Sequence, residues 1–123
     1  CFTFHLMETQ RAEITEKLKK LSQYMPGEDS RVYFLAEFLA ERLGQEGGIT
    51  PEGFNYSFQT VLYDIKTGVN SATEKPVSSE LTGFTPPALA AIRVKLRHIA
   101  ETVLPPDFYE EFIKVKKETE KSN

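Results

Sequence analysis

Tryptophan is absent from this chain of 123 residues, cysteine occurs once and histidine twice. The single cysteine, Cys1, permits no disulfide within the chain and no cysteine-built zinc site. A di-iron helical bundle takes its ligands from repeated Glu-x-x-His pairs. Here there is only the reversed order His98-Ile-Ala-Glu101, and the other histidine, His5, stands far off in the chain. No metal, haem or other cofactor is expected. Long apolar runs are missing too: none approaches the ~18 residues of a membrane span. Neither sign of charge dominates, with 15 Lys and Arg against 18 Asp and Glu and a formal net charge of −3. Such a balance sets up no long-range field to gather nucleic acid or an anionic membrane. Also absent are a Gly-x-Ser-x-Gly elbow, a phosphate-cradling glycine loop with its lysine, and a Cys–His nucleophile pair. Glu110 and Glu111 are adjacent on a helical segment, so their side chains diverge by roughly 100° and do not form an acid–base couple. Enzymatic activity is therefore not expected.

What is present is bulk and periodicity. Hydrophobic residues make up 40% of the chain and charged residues 27%, with nine Phe and five Tyr, which suits one globular domain with its own core. "CFTFHL" alternates Phe2, Phe4 and Leu6 with polar residues over too short a span to define a strand. It is expected to be an extended arm, either added or upstream of a native start at Met7. From Thr9 the period becomes helical, with Ile14, Leu18, Leu21 and Met25 on one stripe until Met25-Pro26-Gly27 ends it. Asp29 or Ser30 caps a second helix over about Arg31 to Leu43. Its stripe of Val32, Leu35, Ala36, Leu39 and Leu43 is widened by Phe34 and Phe38, marking the central helix of the domain.

"LGQEGGITPEGF", Leu43 to Phe54, poses the one ion-site question in the chain. An EF-hand loop needs oxygen ligands at positions 1, 3, 5 and 12 around a glycine at position 6. With Gly48 at position 6 these are Leu43, Gln45, Gly47 and Phe54; with Gly47 they are Arg42, Gly44, Glu46 and Gly53. Neither register gives the first-position Asp or the last-position Glu, so calcium binding is excluded. The stretch reads as a helix corner, with Thr50 as a cap and Pro51 at the first helical position, where a missing N–H costs little.

The third helix carries Phe54, Phe58, Val61, Leu62 and Ile65 and closes at Thr67-Gly68. Val69 to Phe84 has no helical stripe, and connections of this length are often functional or disordered. Val77, Leu81 and Phe84 are its candidate anchors. Thr85-Pro86 opens a fourth helix with Leu89, Ile92, Leu96, Ile99 and Val103 spaced alternately by three and four residues. Leu104-Pro105-Pro106 stops it. Asp107 with Glu110 resembles a capping box for a last stripe of Phe108, Phe112 and Val115, after which "KKETEKSN" is charged enough to fray.

The expected fold is all-α: an antiparallel bundle of four to five helices with one long connection over about 68–85. The bundle domain is expected over 9–118, between an arm or added segment at 1–8 and a frayed tail at 119–123. Surplus aromatic surface marks partner interfaces, and the candidates here are Tyr33, Phe34, Phe38 and Tyr56, with Tyr33 and Tyr56 expected to be the most exposed. The leading expectation is a non-enzymatic protein–protein interaction domain, an adaptor, assembly factor or regulatory subunit that self-associates as a homo-oligomer in the cytoplasm. A second is a nucleic-acid-binding regulator using an anion or phosphate patch of Arg93, Arg97, Lys114 and Lys117, brought together if the last two helices pack as a hairpin. A third is a pocket for a small apolar ligand lined by Phe34, Phe38 and Phe58.

Overall fold

Why five helices form is legible at their starts. The computed structural model describes residues 6–43 and 49–122, and its helices are α1 (Glu8–Lys19), α2 (Ser30–Arg42), α3 (Pro51–Thr67), α4 (Pro86–Val103) and α5 (Pro106–Ser122). Each early helix spends a side chain on an N–H that the first turn leaves without an intrahelical partner. Gln10 Oε1 accepts from the Met7 N–H at 3.0 Å, and Asp29 Oδ1 accepts from the Arg31 N–H at 2.8 Å. Thr50 Oγ1 accepts from Gly53 at 3.0 Å and Thr85 Oγ1 from Ala88 at 3.3 Å. Pro51, Pro86 and Pro106 each occupy the first helical position, where a fixed φ helps and no N–H is lost. The glycine at 53 suits its cap: a Cβ there would stand 3.3 Å from the Thr50 hydroxyl.

Three boundaries differ from the sequence expectation. The α-helical part of α1 ends at Lys19, and Leu21–Gln23 form a tighter 3-10 turn. Gln23 N–H to Lys20 O at 3.0 Å and Tyr24 N–H to Leu21 O at 2.9 Å close that turn while Leu21 sinks into the core. At the other end, α5 begins at Pro106, because Tyr109 N–H already bonds Pro105 O at 2.9 Å. Asp107 therefore lies inside the first turn and is not the cap. The helix then runs on to Ser122 through the charged segment expected to fray. Thr119 has an inward partner there, accepting from Asn55 Nδ2 at 3.0 Å and donating to Val115 O at 3.0 Å.

The architecture is an all-helical bundle among the described residues, with one hydrophobic cluster shared by every helix. Helix α2 lies at its centre, against α1, α3 and α4, with Leu35, Ala36 and Leu39 sealed from solvent. Helix α5 packs chiefly on α3, and this contact holds most of the buried aromatic mass. The Phe54 ring meets Phe108 edge-on at 6.2 Å and Phe112 at 4.9 Å, and Phe58 meets Phe112 at 5.2 Å. Such pairs add about 0.5–1.5 kcal/mol each beyond the area they bury. The arm contributes one described pairing: Leu6 and Ile49 exchange backbone hydrogen bonds of 2.8 and 2.9 Å, which ties the start of α1 to the start of α3. Residues 1–5 and 44–48, which include most of the expected arm and the glycine corner, lie outside the described residues.

The long connection is ordered by its own hydrogen bonds. Gly68 takes a left-handed conformation at φ 82° and ends α3, after which Val77 N–H returns to Gly68 O at 3.1 Å. Inside this loop Asn70 N–H bonds Lys75 O at 2.8 Å, and Asn70 Oδ1 accepts from Ala72 and Thr73. Val77 and Leu81 are buried as anchors, and Phe84 is half-buried beneath the Arg31 guanidinium, 5.1 Å from its ring centre. The root of the loop is Asp64, 0% exposed on α3, whose Oδ2 accepts from both the backbone N–H and the hydroxyl of Ser71 at 3.1 and 3.2 Å. Nothing in its helical pattern sets this aspartate apart, because its partner sits seven residues on in a loop that the sequence does not fold.

Candidate functional site

Helix α3 faces the core with Phe54, Phe58, Val61 and Ile65, and the opposite side of its cylinder carries its exposed rings. Tyr56 and Tyr63 lie on that side, seven residues apart and thus nearly in line along the axis. Their exposures, 71% and 62%, are large for aromatic rings. Gln59 and Thr60 lie between them, so the strip is uncharged from one ring to the next. Tyr56 was legible as a candidate. Tyr63, nearly as exposed, was not among the candidates, although a seven-residue spacing from Tyr56 was there to find it.

The other aromatic candidates go different ways. Tyr33 is partly buried and engaged inside the chain: its hydroxyl donates to Met25 O at 2.8 Å and accepts from the Glu28 N–H at 3.1 Å. It clamps the corner between the 3-10 turn and α2, which the expectation of an exposed ring did not anticipate. Phe38 is 7% exposed and belongs to the core. Phe34 is 39% exposed and forms the lip of a cleft with Phe38, Glu37, Glu41, Pro76, Val77 and Leu81. That cleft holds about 250 Å³, below the roughly 300–1,000 Å³ typical of small-molecule pockets. Phe58 is not in it. Helix α5 captures Phe58 through Phe112, and so the expected trio of Phe34, Phe38 and Phe58 is split between two sides of the bundle.

The last two helices do not pack chiefly on each other as the hairpin expectation needs, because α5 leans mainly on α3. Lys114 pairs with Glu111 at 3.1 Å, Lys117 is exposed on α5, and Lys116 is held by Glu120 while its ammonium lies 5.8 Å from the Phe58 ring centre. Arg97 lies close enough to Tyr109 to act on its phenol. Partial burial pushes that phenol's pKa up, the Glu101 charge pushes it further, and Arg97 offsets part of the rise. Arg93, one turn earlier, faces a different neighbour. It shares a groove of about 420 Å³ between α3 and α4 with Leu62, Lys66, Pro86, Leu89 and Ala90. Lys95, on the opposite flank of α4, makes a half-exposed ion pair with Glu28 at 2.9 Å that links α4 to the α2 corner. His98 is exposed. Among the described residues no three His, Cys, Asp or Glu side chains lie together as a metal site, and no helix is long and apolar enough to cross a membrane.

No family model, no curated protein and no solved structure matches this chain.

Proposed function

We propose that the chain is a non-enzymatic helical docking domain, an adaptor, assembly factor or regulatory subunit, and that it self-associates through the outer face of α3. The observation that carries this reading is the aligned pair of exposed rings, Tyr56 and Tyr63, on a strip without charge between them. Tyrosine combines a large apolar face with a polar tip and is enriched in the centres of protein interfaces. A rod presenting two such rings suits a twofold contact, in which the same patch meets itself. Two antiparallel α3 copies, centred between Gln59 and Thr60, set Tyr56 of one beside Tyr63 of the other.

Sedimentation equilibrium tests this. The wild type is expected to shift from monomer to dimer as concentration rises through the micromolar range, where an interface of modest area operates. The double variant Y56E/Y63E is expected to remain monomeric with an unchanged helical circular dichroism spectrum, since exposed substitutions away from caps and core move stability by only about 0.5 kcal/mol. A wild type that stays monomeric across that range, or a double variant that still dimerises, overturns the reading.

A further inference from the structure

The fourth helix carries an apolar stripe of five residues, and the core takes four of them: Ile92, Leu96, Ile99 and Val103 are buried. The first, Leu89, is only partly covered and lines the groove between α3 and α4. Leu62, Pro86 and Ala90 complete an apolar floor there. The walls are cationic. Lys66 stands on α3 and Arg93 on α4, and no carboxylate lines the groove. Among the described residues neither has an acidic partner within 4 Å, whereas Lys20, Lys95, Lys114 and Lys116 each have one. The groove remains open because the α5 contacts on α3 fall at its first half, on Phe54, Asn55 and Phe58, and not beside Leu62 and Lys66.

The geometry points to this groove as a docking site for an amphipathic helix of another protein, with an apolar stripe bordered on both sides by Asp or Glu. A groove walled by two helices over an apolar floor suits the ridge of a third helix. A cation on each helix selects acidic borders on both sides of that ridge, whereas a lone carboxylate headgroup would bring one charge to two cations. A second copy does not supply the occupant: α1 balances three acidic residues with three basic ones and buries Ile14 and Leu18, and the other helices likewise turn their apolar stripes into the shared core. The inference rests on the reading of the chain as a docking domain and is independent of the tyrosine face.

Fluorescence anisotropy on the full chain tests it, with two labelled helical peptides of about 18 residues, long enough to hold helix in water. Both carry leucines at every third and fourth position; one has glutamates along the borders of the stripe and its twin has lysines. The glutamate peptide is expected to bind saturably and about tenfold more tightly than the twin, the scale of two partly screened charge pairs, with the difference shrinking as salt rises. Leu89→Glu is expected to abolish binding. The charge-reversed variant K66E/R93E is expected to invert the preference, an outcome that a merely unfolded variant does not give, while sedimenting as the wild type does. Equal affinity for both peptides, no binding of the glutamate peptide up to about 1 mM, an uninverted preference in K66E/R93E, or saturable binding of palmitate in place of the peptide would each overturn the inference.

Discussion

The two halves of α3 have the same pattern and different fates. Phe54 and Phe58 in the first half are fully sealed, because α5 brings Phe108 and Phe112 against them. In the second half Val61 and Ile65 are buried as well, but Leu62, 9% exposed, lines an open groove beside Pro86, Leu89 and Ala90 at the start of α4. An apolar stripe thus states that a helix has an inside face. Whether that face is closed depends on the side chains its neighbour supplies, and where the neighbour leaves a gap the same stripe lines an open groove. On its other flank this second half is held by chemistry of a different kind, the buried carboxylate of Asp64 gripping the loop at Ser71.

The largest effect expected from breaking the comparison comes at the sealed half. Phe112→Ala removes the ring that touches both Phe54 and Phe58, and it should cost about 3–5 kcal/mol, the range for a large aromatic lost from a packed core. Urea unfolding checks this, with the midpoint falling sharply and the slope unchanged. A smaller effect is expected at the second half. Asp64→Ala leaves the Ser71 N–H and hydroxyl without their acceptor and should cost about 1–3 kcal/mol. The same variant should raise amide hydrogen exchange across the 69–77 loop while the Phe54–Phe112 region keeps its protection, because openings of this kind are local. Equal losses of protection in both halves would show that α3 is one cooperative unit and would dissolve the comparison.

Helix existence, order and most buried stripes were legible in the sequence, because they follow from spacing and from caps. Thr50-Pro51 and Thr85-Pro86 announced two helix starts. Pro105-Pro106 reads in the sequence only as the stop of the fourth helix, so the start of α5 at Pro106 went unannounced, and the expected cap at Asp107 lies two positions too far along. The partners of side chains were less legible. Tyr33 looked like a free ring because its acceptor, Met25 O, appears only once the 3-10 turn has folded back. Asp64 looked like an ordinary helical charge until the loop closed on it. Arg93 and Arg97 looked like one patch because they share a helix. Their neighbours separate them, a groove with Lys66 for one and the Tyr109 phenol for the other. The α3 face was half visible, Tyr56 recognised and Tyr63 passed over among aromatics that a core of this size was expected to absorb.

Residue-resolved NMR over a dilution series tests the self-associating face most directly. With tyrosine ring resonances assigned in the full chain, Tyr56 and Tyr63 should move together as concentration rises, while Tyr33 and Tyr109, tied into the chain, stay fixed. Rings that all hold still over the range, or a shift confined to Tyr24, Tyr33 or Tyr109, would contradict the claim that the outer face of α3 is where this protein meets another copy of itself.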